Sequence, residues 1–215
     1  MMLRRLETYG FHPDTAPEQV DDLARVLRRT GWFIPEVLDS AVGRNRSSAG
    51  VDLVWEHSYE SPEAYARYMC HPYHICILDR YLLPEAPECI TASRRELQIG
   101  LMGYAIEGAP FRRDGGIRRI VALKAAPAAS DFDAFADDLV ARPGLAVSVV
   151  APNTMGLEWF PTGWTHVWEQ AYDDDAAMQA AIADEAEFLA RGPVTEWIDV
   201  HYVIDREDAP AGAAR

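Results

Sequence analysis

The chain has 215 residues with 34 acidic and 20 basic side chains, and its formal charge of −14 argues against nucleic acid or any partner held mainly by phosphate neutralisation. A hydrophobic fraction of 49% supplies enough apolar material for a sizeable core and excludes disorder of the whole chain. The length admits one large domain or two of roughly 100 residues.

In chain order, residues 3–11 read as extended. Residues 17–30 read as a helix, with Pro17 at its start, Gly31 at its end, and Val20, Leu23, Ala24 and Leu27 on one face. Residues 36–42 and 51–59 form a hairpin across the polar turn 43–48. Ser61 caps a second helix whose Pro62 is tolerated in the first turn, and a strand over 98–107 closes the half. After the Gly-, Pro- and Arg-rich stretch 108–116, the order strand, helix, strand, strand, helix, strand recurs at 117–124, 131–141, 146–150, 163–172, 174–189 and 194–204.

Direct echoes support this duplication. Leu3-Arg4-Arg5-Leu6 returns as Ile117-Arg118-Arg119-Ile120, and Val54-Trp55-Glu56 with Tyr59 returns as Val167-Trp168-Glu169 with Tyr172. The helical stripe recurs as Phe132, Phe135, Ala136 and Leu139, and Tyr104 with Ile106 returns as Tyr202 with Ile204. The last spacing is shorter than the others by about 15 residues, which places an insertion of the first half near 84–96. The expected organisation is a first repeat over 1–107, a linker over 108–116, a second repeat over 117–205 and a disordered tail over 206–215. A β-α-β-β-α-β unit leaves one apolar sheet face bare, and a tandem copy covers it. The fold class is therefore α+β: two ferredoxin-like repeats forming an intramolecular version of a dimeric α+β barrel.

The basic start of the chain lacks the apolar run of a signal peptide, and no uncharged apolar stretch reaches bilayer length, so neither export nor a membrane partner is expected. Three cysteines, Cys70, Cys76 and Cys89, fit a reducing compartment, and the expected location is cytoplasmic. Lys124, the single lysine, leaves little room for Schiff-base chemistry.

The segment Glu60-Ser61-Pro62-Glu63-Ala64-Tyr65-Ala66-Arg67-Tyr68-Met69-Cys70-His71-Pro72-Tyr73-His74 resembles the stress-responsive A/B barrel (Dabb) family of dimeric α+β barrels. In that family a strand ends in an acidic-Ser corner and leads to a helix followed by His-Pro-x-His. The resemblance implies either a stress-linked protein or a small cofactor-free lyase or polyketide cyclase, similar to olivetolic acid cyclase-like members. On that similarity, the acid/base pair falls on Tyr68 and His74. The second repeat has Ala181, Asp184, Glu185 and Glu187 where the first has Tyr68, His71, Pro72 and His74, which suggests one working half and one degenerate, structural half.

Strand parity puts Arg5, Glu7 and Tyr9 on one face, and the resemblance turns that face towards the helices, where the family's ligand cavity lies. The matching positions are Arg119, Val121 and Leu123, so polarity has been gained in the first repeat. Glu7 is a candidate base or orienting group, with a salt bridge to Arg5 as the plainer reading. Trp55 and His57 share a face of the third strand and match Trp168 and Gln170. Trp55 reads as pocket wall or core, and His57 as a cluster member or an exposed or backbone-bonded side chain. His71 is taken as substrate-binding with Arg5, Glu7, Tyr9, Trp55 and His57. A histidine with an ordinary pKa of about 6.5 and a phenol suit proton abstraction beside a carbonyl.

Cys70, His71, His74 and Cys76 include zinc-ligand types, but their tight spacing across Pro72 suits a tetrahedral site poorly. The run Asp173-Asp174-Asp175 reads as a helix start, and Arg112 and Arg113 as solvated. The expected cofactor is none. The expected partner is a small-molecule substrate, bound by a monomer acting as a pseudo-dimer or by its homodimer. Two further readings stand beside the lyase or cyclase acting on a small hydrophobic carbonyl or polyketide-like substrate. One is a non-catalytic stress-responsive or ligand-binding barrel with a self-filled pocket. The other is a heme- or metal-dependent enzyme on a related barrel.

Overall fold

A computed structural model describes residues 1–92, 100–107, 115–126, 131–154 and 163–207. Expectations for the strand start at 98–99, the insertion end at 93–96, linker residues 108–114 with Arg112 and Arg113, and tail residues 208–215 lie outside them.

The first sheet holds β1 (Met2–Tyr9), β2 (Val37–Arg44), β3 (Leu53–Tyr59) and β4 (Leu101–Ile106) in the antiparallel order β2-β3-β1-β4. The second holds β5 (Ile117–Ala125), β6 (Val147–Pro152), β7 (His166–Tyr172) and β8 (Val194–Val203) in the matching order β6-β7-β5-β8. This is the strand order of a ferredoxin-like unit, twice. Helices α1 (Pro17–Arg28), α2 (Thr30–Phe33), α3 (Pro62–Met69) and α4 (Asp79–Leu82), with a π-helical turn at His74–Leu78, belong to the first repeat. Helices α5 (Phe132–Val140), α6 (Asp175–Ile182) and α7 (Glu185–Arg191) belong to the second.

The helix ends differ from the sequence reading in two places. Gly31 does not stop the first helix; the chain turns at Arg29 and makes the extra turn α2 around Gly31. The single helix expected over 174–189 is broken at Ala183 and Asp184, which lets α7 start at Glu185 with that carboxylate turned inward. Ser61 and Asp174 cap α3 and α6 as their positions imply, accepting from the backbone N–H of Ala64 and Ala177.

The sheets pack face to face and their edges meet. Val42 and Asp205 exchange backbone hydrogen bonds of 3.1 and 2.7 Å, and the Arg46 N–H donates to His201 O at 2.8 Å. On the opposite seam the Thr154 N–H donates to Gly103 O at 2.8 Å. These contacts close an eight-stranded barrel and cover the edges that an isolated sheet would expose. Gly43 is required at the first seam, because a Cβ there would lie 2.2 Å from the Tyr202 ring.

Because the central strands β1, β3, β5 and β7 are covered on both faces, their burial does not alternate and polar side chains on either face must be paired. The barrel interior joins Leu6, Val54, Met102, Ile120, Val167 and Val200. At its centre stand the residues that revealed the repeat. Arg4 donates to Glu169 at 2.9 and 2.5 Å, to Ser58 at 3.3 Å and also to Glu56. Arg118 Nε lies 3.5 Å from Glu56 and 3.7 Å from Glu169, and Tyr104 donates to Glu169 at 2.6 Å. Burial would raise the Glu169 pKa, but Arg4 and Arg118 outweigh it and hold the carboxyl down at about 2.

The charged network is built by both repeats, and the second repeat also buries Glu185, which is 4% exposed. Arg206 adds an ion pair to Asp39, fastening the segment after β8 to the first repeat.

Candidate functional site

On the helix-facing side of the first sheet, parity brings Arg5, Glu7 and Tyr9 of β1 beside Trp55, His57 and Tyr59 of β3; His57 pairs with Arg5 and Trp55 with Glu7 in register. Glu7 is the hub. It receives Arg5 Nη2 at 2.5 Å and the Tyr9 hydroxyl at 2.7 Å, and His57 Nε2 lies 3.4 Å away. The salt-bridge reading of Glu7 therefore holds, inside the layer rather than at a rim.

His57 is buried and bonded through side chains, not exposed or tied to backbone. Its Nδ1 is 2.7 Å from the Tyr59 hydroxyl, and its ring stacks on Trp55 at 3.8 Å. Burial, then the Arg5 charge, outweigh the pull of Glu7 and lower the His57 pKa to about 4. A neutral imidazole between a phenol and a carboxylate is assigned the Nε2–H tautomer, accepting at Nδ1 from Tyr59. Burial raises the phenols of Tyr59 and Tyr68 well above their ordinary values, so both stay protonated donors. Burial also opposes the Arg5 charge, but Glu7 more than offsets it.

The helices lay Tyr65 and Tyr68 of α3 over this cluster. Tyr68 approaches Tyr59 with ring centres 5.1 Å apart, and Tyr65 covers the Arg5 guanidinium at 4.6 Å. Regular helix ends at Met69 with Cys70 as its C-cap, and Pro72 opens the next helical stretch, whose π-helical turn carries His74. His74 is buried, its ring meets Tyr68 edge-on at 4.6 Å, and its Nδ1 lies 3.7 Å from Asp79 Oδ2. Tyr68 thus touches both His57 and His74, and the two histidines bracket it.

Trp55 lines the layer as expected and donates from Nε1 to Ser40 at 2.8 Å. His71 stands apart: its Nδ1 accepts the backbone N–H of Tyr73 at 3.1 Å, a local bond that stiffens the helix break. Sequence reasoning passed over Tyr59, noted only as a repeat marker, and Asp79. Tyr59 was findable, since Trp55, His57 and Tyr59 alternate onto one face; Asp79 reaches His74 only because of the π turn. Among the described residues no group of three His, Cys, Asp or Glu side chains is placed to hold a metal, and Cys70 and Cys76 are exposed while His74 is buried. No described helix is long and apolar enough to cross a membrane.

Residues 3–89 match the family model of the stress responsive A/B barrel domain. The first repeat belongs to that family. The Dabb match ends within the first repeat, whereas likeness to solved structures spans both. A putative monooxygenase from Fusobacterium nucleatum subsp. nucleatum is 8% identical with a TM-score of 0.63, covering 94% of this chain and 92% of that one. An anthrone oxidase-like protein is 16% identical with a TM-score of 0.58, over 95% and 91%. A putative chlorite dismutase is 11% identical with a TM-score of 0.61, over 95% of each chain. At such identities these likenesses show the fold alone: a two-sheet α+β barrel in one chain. No curated protein sequence matches the chain.

Proposed function

We propose that the first repeat is a cofactor-independent acid/base enzyme, a lyase or cyclase acting on a small hydrophobic carbonyl or polyketide-like substrate, and that the second repeat is structural. One observation carries this reading: His74 sits against Tyr68 with Asp79 Oδ2 3.7 Å from its Nδ1, which brings together a base, a protonated phenol and an orienting carboxylate. His74 Nε2 takes the proton beside the carbonyl, and Asp79 favours the imidazolium that forms. Tyr68 donates to the developing enolate oxygen, and Tyr59 and His57 lie behind Tyr68 to support it. Arg5, Glu7, Tyr9 and Trp55 hold the wall in place. An enolate is also the species that molecular oxygen attacks in a cofactor-free oxidation. The same residues therefore serve if the chemistry named for the similar monooxygenase and anthrone oxidase-like proteins extends to this chain.

The test is deuterium exchange at the α-carbon of a panel of 1,3-dicarbonyl compounds, followed by NMR, with oxygen uptake recorded in parallel. His74→Gln and Tyr68→Phe are each expected to slow the enzyme-dependent exchange roughly 100-fold or more. Exchange by both variants at the wild-type rate would sink the assignment. A second reading, a ligand-binding barrel without chemistry, is favoured by the filling of the layer, since Tyr59, His57 and Tyr68 are at most 1% exposed. It predicts ligand binding with no exchange in the wild-type protein.

A further inference from the structure

Arg5 and Arg119 stand at equivalent places on β1 and β5, yet their donors are used differently. Arg119 gives Nε to Asp199 at 3.0 Å, Nη1 to Gln170 at 3.0 Å and Glu185 at 2.8 Å, and Nη2 to Glu185 at 2.7 Å. Arg5 gives Nη2 to Glu7, while its Nε and Nη1 have no hydrogen-bond partner among the described residues and the residue is 4% exposed. A guanidinium carries five N–H groups, and three of those on Arg5 are buried without an acceptor. Buried donors are rarely left so, because each lacks the water it gave up on folding. The helix layer explains the difference. Glu185 at the start of α7 brings a second carboxylate to Arg119, whereas the first repeat has Pro72 at that sequence position and sets the Tyr65 ring over Arg5.

We propose that the first repeat binds a ligand with an anionic oxygen of the carboxylate class, which meets Arg5 as Glu185 meets Arg119, and that Tyr65 is the movable cover of this subsite. The proposal rests on the reading of the same layer as a ligand site and adds the charge of the ligand. Two carboxylates surround Arg119 and one faces Arg5, so one more negative charge restores the balance seen in the second repeat. Oxygen acids fit best, because Nε–H and Nη1–H are directional donors in the guanidinium plane. The walls are flat: the Trp55–His57 stack, Tyr59 and Tyr68 suit a planar conjugated body. Tyr65 is half-buried, and its ring meets Tyr59 at 5.3 Å and Tyr68 at 6.0 Å, so rotation outward vacates a ring-sized place beside Arg5 without moving the sheet.

The test titrates the full chain with benzoate and with benzamide, an uncharged molecule of the same shape, by calorimetry and tryptophan fluorescence. Benzoate is expected to bind at least tenfold more tightly than benzamide, and Arg5→Gln to bring benzoate down to the benzamide level. Tyr65→Ala, which removes the cover, is expected to speed benzoate association. Equal affinity for the two compounds, or no binding of benzoate by either the wild type or Tyr65→Ala, overturns the proposal. These two proteins decide the matter even where Arg5→Gln does not fold. Failure here with His74-dependent exchange intact removes the anion subsite and leaves the acid/base reading; a benzoate preference without exchange does the reverse.

Discussion

The helix-facing layers of the two repeats begin from the same strand arginine and finish in opposite ways. In the second repeat Glu185, Asp199 and Gln170 surround Arg119, Tyr172 closes on Gln170 at 2.7 Å, and Val121 and Leu123 continue into an apolar core with Phe132 and Phe135. In the first repeat those two apolar positions are Glu7 and Tyr9, Gln170 is replaced by His57, and Arg5 keeps unpartnered donors. Between the sheets, by contrast, Arg4 with Arg118 and Glu56 with Glu169 are retained, because each buried charge needs the others. The charged quartet between the sheets is the same in both copies, whereas on the helix-facing side Glu7, Tyr9 and His57 stand where the second copy has Val121, Leu123 and Gln170.

The comparison is broken most forcefully at Glu185. Glu185→Ala removes the bidentate partner of a buried guanidinium and is expected to cost about 3–5 kcal/mol in urea unfolding. A loss below about 1 kcal/mol would show that Asp199 and Gln170 suffice and that the closed network matters little.

His57 offers a pH-dependent contrast. Its folded pKa of about 4 lies below the ordinary value near 6.5, so between these values the unfolded chain binds the extra proton and stability falls as pH drops. The contribution lost by pH 4 is on the order of 3 kcal/mol. His57→Gln, which copies the second repeat, is expected to flatten the melting temperature between pH 6.5 and 4. An unchanged slope would place the titration elsewhere.

The smallest effects belong to the two tyrosines that end the clusters. Tyr172→Phe and Tyr59→Phe each remove one hydrogen bond, to Gln170 and to His57, and are expected to cost about 1 kcal/mol apiece. Only Tyr59→Phe is expected to slow the exchange reaction as well, since Tyr59 lies behind Tyr68 in the proposed site.

Much of the barrel was legible because its determinants are periodic. Parity grouped Arg5, Glu7 and Tyr9 on one face of the first strand and Trp55 with His57 on one face of the third, and the doubled Arg-Arg and Val-Trp-Glu echoes named the repeats. The same echoes were silent about their purpose: Arg4, Glu56, Arg118 and Glu169 read as markers of duplication and proved to be the charged centre of the barrel. Asp79 escaped notice, and Glu185 read only as the counterpart of Pro72, for a related reason. A π turn and a helix break redirect each carboxylate, and neither irregularity follows from a helical hydrophobic stripe.

By itself the sequence determined that strands and helices alternate twice, that two bare sheet faces must meet, and that Arg5, Glu7 and Tyr9 share one face of the first strand where the second repeat is more apolar. Tertiary structure alone decided which charges satisfy one another, because buried ionic partners are chosen by approach across sheets and helix ends rather than by spacing along the chain. That approach gives every nitrogen of Arg119 an acceptor and leaves Arg5 Nε and Nη1 without one among the described residues, and on this difference the proposed anion subsite rests.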